Sequence, residues 1–484
     1  MHKVYVRELK PYSLAGLAEL LRMDTLRTHR FVMELMMCGI IRFRNSSAMQ
    51  ESENDGEEAA PDELFQFVFV GMAMLHDTVI VSYPKYFQDR VPTDEELKQI
   101  VGVLKRDVIK TSFSSLMEGG AFVDDKLPIM LALLELYSEY GVYSNFIESR
   151  EVNGRGDIDW GRTINRRLPL LIDSSPIYVE YETRRTQRDE SDFITRLHRS
   201  VLTKCSRVLE QAGVSTLLSI DELCLSDEDI EDLGDVESLE WRLDRERSVQ
   251  FIDWKIAVLD LLERYLLNRD SAVECNEIYA LGVTNFYHLW EDACKVAFGD
   301  SLGEKIGDLG LALSEKWSKR SKETLLDIIP RPKWERYTGK GYIDCGEVAT
   351  LIPDTITFAV ADGEERVFCI YDAKYYVPSQ SGKMKAQPGL QSVTKQFLYQ
   401  SAYRDFISAH NYSRVVNAFL VPTAGDDLRK MARVSFSEVM GKEGLPFSNY
   451  VDMWALPARE IFNAYLRNER IDCGAMKTIW MSED

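Results

Sequence analysis

The chain reads PDTITFAV at residues 353–360 and VFCIYDAK at residues 367–374. Each stretch is a short, mainly apolar run with an acidic residue near one end, and the residues ADGEE at 361–365 between them are typical of a turn. The pattern therefore predicts a β-hairpin. Side chains alternate along a strand, so Asp372 and Lys374 face one side of it while Ala373 faces the other. Asp354, on the neighbouring strand, is expected to lie close to Asp372.

These side chains form a candidate catalytic centre. Carboxylate oxygens are the ligands that Mg²⁺ prefers, and Mn²⁺ accepts the same ligands. We expect Asp354 and Asp372 to be metal ligands and the carbonyl of Ala373 to add a further oxygen. Lys374 is expected to position or deprotonate the attacking water and to offset charge at the scissile phosphate. The residue types and their spacing thus predict hydrolysis of a phosphodiester.

The series Pro353-Asp354…Asp372-Ala373-Lys374 resembles the PD-(D/E)XK nuclease superfamily. The resemblance implies a metal-dependent endodeoxyribonuclease that acts on double-stranded DNA. It also implies an additional metal-site carboxylate on the predicted helix 286–298, where Glu291 is the candidate and Asp292 competes for the role. The predicted helix 395–403 resembles the Gln-Tyr helix of the McrC branch. Gln400 is the candidate there, with Gln396 one turn earlier as the alternative.

Five further segments resemble LlaJI-type restriction proteins, which are related to McrC. They are residues 40–43, 67–71, 79–86, 154–164 and 176–178. This resemblance implies a restriction endonuclease subunit that defends against phage or foreign DNA. It also implies a separate McrB-like AAA+ GTPase, onto which an amino-terminal part of this chain would dock. Two other functions remain open, a stand-alone nuclease of the repair or mobile-element type and a non-catalytic docking subunit. Dimerisation is left open as a route to double-strand cleavage.

The composition limits these functions. The 484 residues contain no long apolar run and no Gly-x-x-x-x-Gly-Lys-Ser/Thr motif, so we expect no membrane span and no P-loop nucleotide site. The eight cysteines are scattered without a Cys-x-x-Cys pair, which argues against a zinc site and favours reduced thiols in the cytoplasm.

The net charge of −20 is unfavourable for DNA binding, but it is distributed unevenly. The segment 51–63, called here the acidic insert, is expected to be a disordered loop. Residues 316–340, called here the basic stretch, carry eight bases against three acids. We expect this stretch to follow the DNA backbone, with a solvated surface segment as the alternative. Its predicted DNA contacts are Arg320, Lys322, Lys333 and Arg336.

The amino-terminal region predicts a winged-helix-like domain. Ser13 could cap a helix over 14–21, a second helix is expected over 26–37, and strands are expected over 40–43 and 64–70. On the second helix, Phe31, Leu35 and Met36 fit a buried face, which leaves Arg27 and Arg30 outward as candidate DNA contacts. A protein-docking domain of the same shape is the alternative.

Overall we predict a mixed α/β (α+β) chain in three segments. These are a winged-helix-like domain at 1–90, a mainly helical middle region at 91–275 for partner docking or DNA contact, and the nuclease domain at 276–484. Within them, helices are expected over 93–143, 197–212 and 249–267, and strands over 177–181 and 415–421. We also expect that deletion of residues 1–90 weakens DNA binding and leaves the metal site intact.

Overall fold

The computed structural model describes residues 1–44, 64–118, 126–173, 175–270, 279–347, 349–360, 365–378, 386–471 and 478–479. The acidic insert, expected as a disordered loop, lies outside the described residues, as do residues 361–364 of the predicted turn. Within the described part of the chain, no helix is both long and apolar enough to cross a lipid bilayer. The six cysteines described there are free thiols.

Strands and helices both occur along the whole chain, which confirms the mixed α/β fold class. The strands are β1 His2–Arg7, β2 Pro11–Ser13, β3 Ile41–Arg44, β4 Leu64–Phe67, β5 Val70–Leu75, β6 Thr78–Tyr83, β7 Phe146–Val152, β8 Asp157–Ile158, β9 Leu170–Ile172, β10 Ser175–Ile177, β11 Glu182–Arg188, β12 Tyr279–Val283, β13 Lys333–Tyr337, β14 Tyr342–Glu347, β15 Thr355–Val360, β16 Arg366–Ala373, β17 Arg414–Thr423, β18 Arg429–Ser435 and β19 Tyr450–Pro457. The helices are α1 Leu14–Leu21, α2 Thr25–Met37, α3 Asp94–Glu118, α4 Lys126–Tyr140, α5 Trp160–Arg166, α6 Phe193–Gln211, α7 Ser215–Leu218, α8 Val236–Arg247, α9 Asp253–Asp270, α10 Phe286–Phe298, α11 Glu315–Lys319, α12 Leu390–Ala409, α13 Ser437–Met440 and α14 Ala458–Arg467.

The chain forms two compact units. Unit 1 contains Met1, Met74–Asp77 and Val108–Ala280, and unit 2 contains His2–Ala73, Thr78–Asp107 and Leu281–Asp484. This division differs from the three predicted segments, because most of the first 107 residues belong to the same unit as the carboxy-terminal region.

Unit 1 combines helices with small sheets. Helix α9 packs on α4 and α8, and α4 also packs on α6. Strands β7, β11 and β8 form one antiparallel sheet, and β9 pairs with β10. The predicted strand over 177–181 is wrong, since residues 178–181 connect β10 to β11. The N–H of Tyr181 donates to Oδ1 of Asn153 at 2.7 Å, so it is held by a side chain and not by a neighbouring strand.

The amino-terminal part of unit 2 contains the two predicted helices, followed by two paired strands. The side chain of Ser13 caps α1 and that of Asp24 caps α2. Strands β3 and β4, which follow these helices, pair with each other, and β2, which precedes α1, pairs with β4 to complete a three-stranded sheet. The predicted strand over 64–70 is split, because β4 ends at Phe67 and Val70 begins β5, which joins the separate sheet β1-β6-β5-β12.

The carboxy-terminal part of unit 2 is built on a five-stranded sheet in the order β15-β16-β17-β19-β18. Strands β15 and β16 are antiparallel, whereas β16, β17 and β19 run parallel. Helix α12 makes the crossover from β16 to β17 and packs on both strands. Its residues Tyr403 and Phe406 join Phe368 and Ile370 of β16 in one buried cluster. This packing fixes the end of β16, which carries the predicted catalytic residues.

Candidate active site

The hairpin brings the predicted catalytic residues together. Thr355 is paired with Tyr371 in the antiparallel register, so Asp354 is opposite Asp372 at the next position. Oδ2 of Asp354 accepts a hydrogen bond of 2.9 Å from the N–H of Ala373. Nζ of Lys374 lies 2.5 Å from Oδ1 of Asp372. The local strand pattern thus produces the arrangement that the sequence predicts.

The backbone at the end of β16 is anchored from two sides. The N–H of Lys374 donates to the carbonyl of Leu420 at 2.8 Å, which extends the pairing with β17. The buried indole of Trp290, on α10, donates to the same carbonyl at 3.0 Å. One carbonyl therefore ties the catalytic strand to the helix that carries Glu291.

The electrostatics of the site are those of crowded, partly buried carboxylates. Burial raises the pKa of Asp354 well above its usual range, and hydrogen bonding to Asp372 together with the charges of Asp372 and Glu291 raises it further. Burial alone would lower the pKa of Lys374, but the contact with Asp372 outweighs it, so the pKa is raised. Lys374 is therefore an ammonium ion at neutral pH.

Helix α10 distinguishes Glu291 from Asp292. Glu291 lines the same cleft as Asp354 and Lys374, and its carboxylate is 2.8 Å from Nζ of Lys295. Asp292 does not line that cleft, and its side chain is 39% exposed. Successive helix positions point about 100° apart, so only one of these neighbours can face the site. The position favours Glu291 as the additional carboxylate.

Helix α12 places the two candidate glutamines differently. The amide of Gln400 is held by the backbone of Ser448, with one hydrogen bond of 3.0 Å in each direction. It lines a separate cavity and is not brought to the carboxylates. Gln396 is fully buried, and neither atom of its side-chain amide has a hydrogen-bond partner among the described residues. The backbone carbonyl of Gln396 accepts a hydrogen bond from the side-chain amide of Asn417. Asn417 lies on β17, beside the strand that carries Asp372.

The predicted DNA contacts of the basic stretch lie outside the cleft that holds Asp354. Arg320 is paired with Glu323 at 2.6 Å, and Lys333 lies 3.4 Å from Glu347. Lys333 and Arg336 lie on β13, which is exposed along its whole length, and Lys322 is exposed shortly after α11. Their contact with DNA therefore stays a prediction.

Helix α2 has the predicted orientation. Phe31 and Leu35 are buried and Met36 is half-buried, while Arg27 and Arg30 are exposed. Arg27 is 3.3 Å from Asp24 at the start of the same helix. The basic face is therefore accessible, and its binding to DNA remains a prediction.

The structure adds residues that the sequence did not single out. A cleft of about 510 Å³ is lined by Glu291, Asp354 and Lys374 from the carboxy-terminal region and by residues from the amino-terminal region, namely Glu8, Leu9, Arg42 and Lys85. Because residues of the amino-terminal region line this cleft, the effect of deleting residues 1–90 on the metal site stays a prediction. One local signal is the backbone of Leu9, which has a φ of 59°, unusual for a branched residue.

The oxygen atoms at this site suit a hard divalent cation. Asp354 and Asp372 are adjacent, and a cation between them would relieve the repulsion that raises the pKa of Asp354. No group of three Asp, Glu, His or Cys side chains converges for a metal among the residues that the structure describes. Mg²⁺ is commonly held by one or two carboxylates, with waters and substrate phosphates completing its coordination. The two aspartates fit that pattern.

Solved structures similar to this chain include two McrBC assemblies from Thermococcus gammatolerans. One is a half-complex of McrB AAA+ hexamers with bound McrC, where the matched chain is 11% identical, with a TM-score of 0.35, covering 96% of this chain and 99% of that chain. The other is the McrBC complex, at 13% identity and a TM-score of 0.21, covering 56% of this chain and 87% of that chain.

Sequence similarity is more informative. The YdjA component of the type II restriction enzyme BsuMI from Bacillus subtilis (strain 168) is 24% identical over 425 residues, covering 85% of this chain and 83% of that protein. The model of the LlaJI restriction endonuclease family matches residues 69–309 and 317–441. That match spans well over half of the sequence and includes Asp354, Asp372 and Lys374, so the chain belongs to the LlaJI restriction endonuclease family and is a nuclease subunit of a restriction system.

Proposed function

We propose that this chain is the subunit that cuts double-stranded DNA with Mg²⁺ or Mn²⁺, and that it works with a separate McrB-like AAA+ GTPase. The observation that carries the proposal is the adjacency of Asp354 and Asp372 at the end of a hairpin, with Lys374 bound to Asp372 at 2.5 Å. Glu291 lines the same cleft and supplies a further carboxylate.

The role of each residue follows from its contacts. Asp354 and Asp372 would hold the metal, and the carbonyl of Ala373 is available as a neutral oxygen ligand beside them. A bound divalent cation would polarise the phosphodiester and lower the pKa of a water molecule. Because Nζ of Lys374 lies at the end of the hairpin beside both aspartates, we assign it to the negative charge that develops on the scissile phosphate.

We assign a positioning role to one glutamine side chain on α12. We propose Gln396 for it and not Gln400, because the Gln400 amide is already bonded to Ser448 in both directions. The buried side-chain amide of Gln396 has no partner among the described residues, and the backbone carbonyl of Gln396 accepts from Asn417, on the strand next to β16. A buried amide without hydrogen bonds lowers stability, and a positioning role at the site would explain why this one is retained.

The GTPase partner is inferred from what the sequence lacks and from the family. The sequence has no P-loop motif, so nucleotide-driven movement along DNA would require another subunit. The name of the Bacillus relative describes it as one component of its restriction enzyme. We therefore propose that this chain supplies the nuclease of a complex whose motor is a separate protein.

The catalytic proposal is tested with the double variant Asp372→Ala/Lys374→Ala. Loss of metal binding and charge stabilisation should lower the cleavage rate by several orders of magnitude, since each such electrostatic contribution is worth about 3 kcal/mol. The matched control is Lys305→Ala/Asp308→Ala, which removes one exposed cation and one exposed anion from the same unit. Undiminished, metal-dependent cleavage by the pure double variant with its partner would refute the assignment.

Calorimetry distinguishes an active enzyme from a non-catalytic docking subunit that has the same residues but binds no metal with them. Mn²⁺ binding that depends on Asp354 and Asp372 is expected, and its absence would favour the docking subunit. Cleavage by this chain alone, unaffected by GTP or by a partner, would instead favour a stand-alone nuclease.

A further inference from the structure

The catalytic cleft has a wall that comes from the amino-terminal region. Glu8 and Leu9 follow β1, Arg42 lies on β3 and Lys85 follows β6, and all of them line the cleft with Asp354 and Lys374. All of these residues belong to unit 2. The surface around the reacting phosphate is therefore shared by two distant parts of the sequence.

Hydrogen bonds attach this wall to the catalytic strand. The hydroxyl of Tyr375, next to Lys374, donates to Oε2 of the buried Glu8 at 2.5 Å. The N–H of Lys85 donates to the same carboxylate oxygen at 3.1 Å. Nζ of Lys85 lies 4.3 Å from the centre of the Tyr375 ring. These contacts hold the backbone of Lys85 on Glu8 and place its side chain over the ring of Tyr375, the residue that follows Lys374.

Arg42 belongs to the same connected wall. Its Nη2 donates to Oε1 of Gln66 at 3.3 Å, and Nε2 of Gln66 donates to the carbonyl of Leu9 at 2.9 Å. Leu9 takes the left-handed conformation at this point, and its N–H is bonded to Phe67 at 2.8 Å. The rest of the Arg42 guanidinium has no protein partner among the described residues, and Arg42 is exposed. It is therefore available to an anionic ligand.

The charges in the cleft indicate what this wall binds. Lys374 is paired with Asp372 and is assigned to the phosphate that is cut, so Arg42 and Lys85 are the remaining cations that line the cleft in the described part of the chain. Burial lowers the pKa of Lys85, and the negative charge of Glu8 counteracts part of that shift. A bound anion would favour the charged form of Lys85 further. Phosphates of a nucleic acid backbone are the anions that must pass a phosphodiester-cleaving site, and Arg and Lys are their usual partners.

We propose that Arg42 and Lys85 form a DNA-phosphate-binding wall of the catalytic cleft, which holds backbone phosphates next to the one that is cut. This inference rests on the proposed nuclease function. It differs from that function in predicting a binding contribution that does not require metal.

The test measures DNA affinity of the full chain in EDTA by fluorescence anisotropy with a labelled duplex at several salt concentrations. Lys85→Gln keeps most of the aliphatic stem over Tyr375 and removes the charge. It should reduce the slope of log K against log salt by about 1, as should Arg42→Ala. Lys85→Arg and Arg42→Lys should keep the wild-type slope. Lys98→Ala, which removes an exposed cation of the same unit outside the cleft, is the control.

Wild-type slopes in both charge-removing variants would overturn the inference, and so would a wild-type chain that does not bind the duplex. The cleavage assay with metal and partner reports separately on the proposed function. If the wild type never cuts DNA but the salt slope is lower in both variants, the proposed nuclease function is refuted and the phosphate-binding wall is supported. If the wild type cuts DNA and both variants bind the duplex with the wild-type salt slope, only the phosphate-binding wall is refuted.

Discussion

Asp354→Asn should make the metal-free protein more stable while abolishing cleavage. The side chain is partly buried next to Asp372, and its raised pKa means that the charged form is disfavoured in the folded protein. An asparagine keeps an oxygen that can accept from the N–H of Ala373, which lies 2.9 Å from Oδ2 of Asp354. The substitution therefore removes a carboxyl group that folding makes costly to ionise, and it can retain the local hydrogen bond.

Burial of Asp354 is the largest cause of its raised pKa, and the charges in contact set the scale of the remaining contribution to the gain. Two like charges roughly 4 Å apart at an effective dielectric constant of about 20 repel each other by about 4 kcal/mol. Lys374 is paired with Asp372 at 2.5 Å and offsets part of this repulsion. We expect a net gain in the free energy of unfolding on the order of 1–3 kcal/mol in EDTA, seen as a rise of roughly 2–8 °C in the melting temperature of unit 2.

The gain should depend on pH with a defined sign. A carboxyl group whose pKa is raised by folding lowers stability once it is deprotonated, so its cost is absent at acidic pH and grows as the pH rises above about 4. The difference in stability between Asp354→Asn and the wild type should therefore be small in acid and larger at neutral pH.

Thermal denaturation in EDTA, followed by tryptophan fluorescence, measures this difference. Asp308→Asn neutralises an exposed aspartate of the same unit and should change stability by less than about 0.5 kcal/mol. Added Mg²⁺ should stabilise the wild type and have a much smaller effect on Asp354→Asn, since a ligand stabilises only the folded state that binds it. Destabilisation of Asp354→Asn in EDTA would refute the reasoning and would make Asp354 a structural residue.

Other residues give sharp expectations. Gln400→Ala should lower the free energy of unfolding by about 1–3 kcal/mol, because two backbone groups of Ser448 lose their partner, while the cleavage rate of the folded fraction stays near that of the wild type; a large loss of rate with unchanged stability would assign it to the site. Arg336→Ala should reduce the salt slope of DNA binding by about 1 if the basic stretch contacts phosphates, and an unchanged slope would make this strand a solvated surface. Deletion of residues 1–90 removes parts of the buried core of unit 2, so the unfolding of unit 2, measured by denaturant titration, should no longer be cooperative. A truncated protein that unfolds cooperatively and binds Mn²⁺ would contradict this expectation.

The strands around the catalytic centre were predictable because their signals are local. Alternation along residues 367–374 placed Asp372 and Lys374 on one face, and a short connection to residues 353–360 made antiparallel pairing the simple solution. The observed strands Thr355–Val360 and Arg366–Ala373 agree with that pattern. The helix Phe286–Phe298 was likewise determined by its own apolar spacing.

The environment of that centre was decided by contacts between distant residues. Glu8 reaches Tyr375 across 367 positions of the sequence, and no local pattern encodes such a pairing. The choice between Glu291 and Asp292 depends on the rotation of one helix against the sheet, which the bond from Trp290 to Leu420 fixes. Sequence periodicity determines which residues share a face of one element, whereas the packing of elements determines what that face meets. The candidate catalytic residues were therefore visible in the sequence, and the wall of their cleft was visible only in the folded chain.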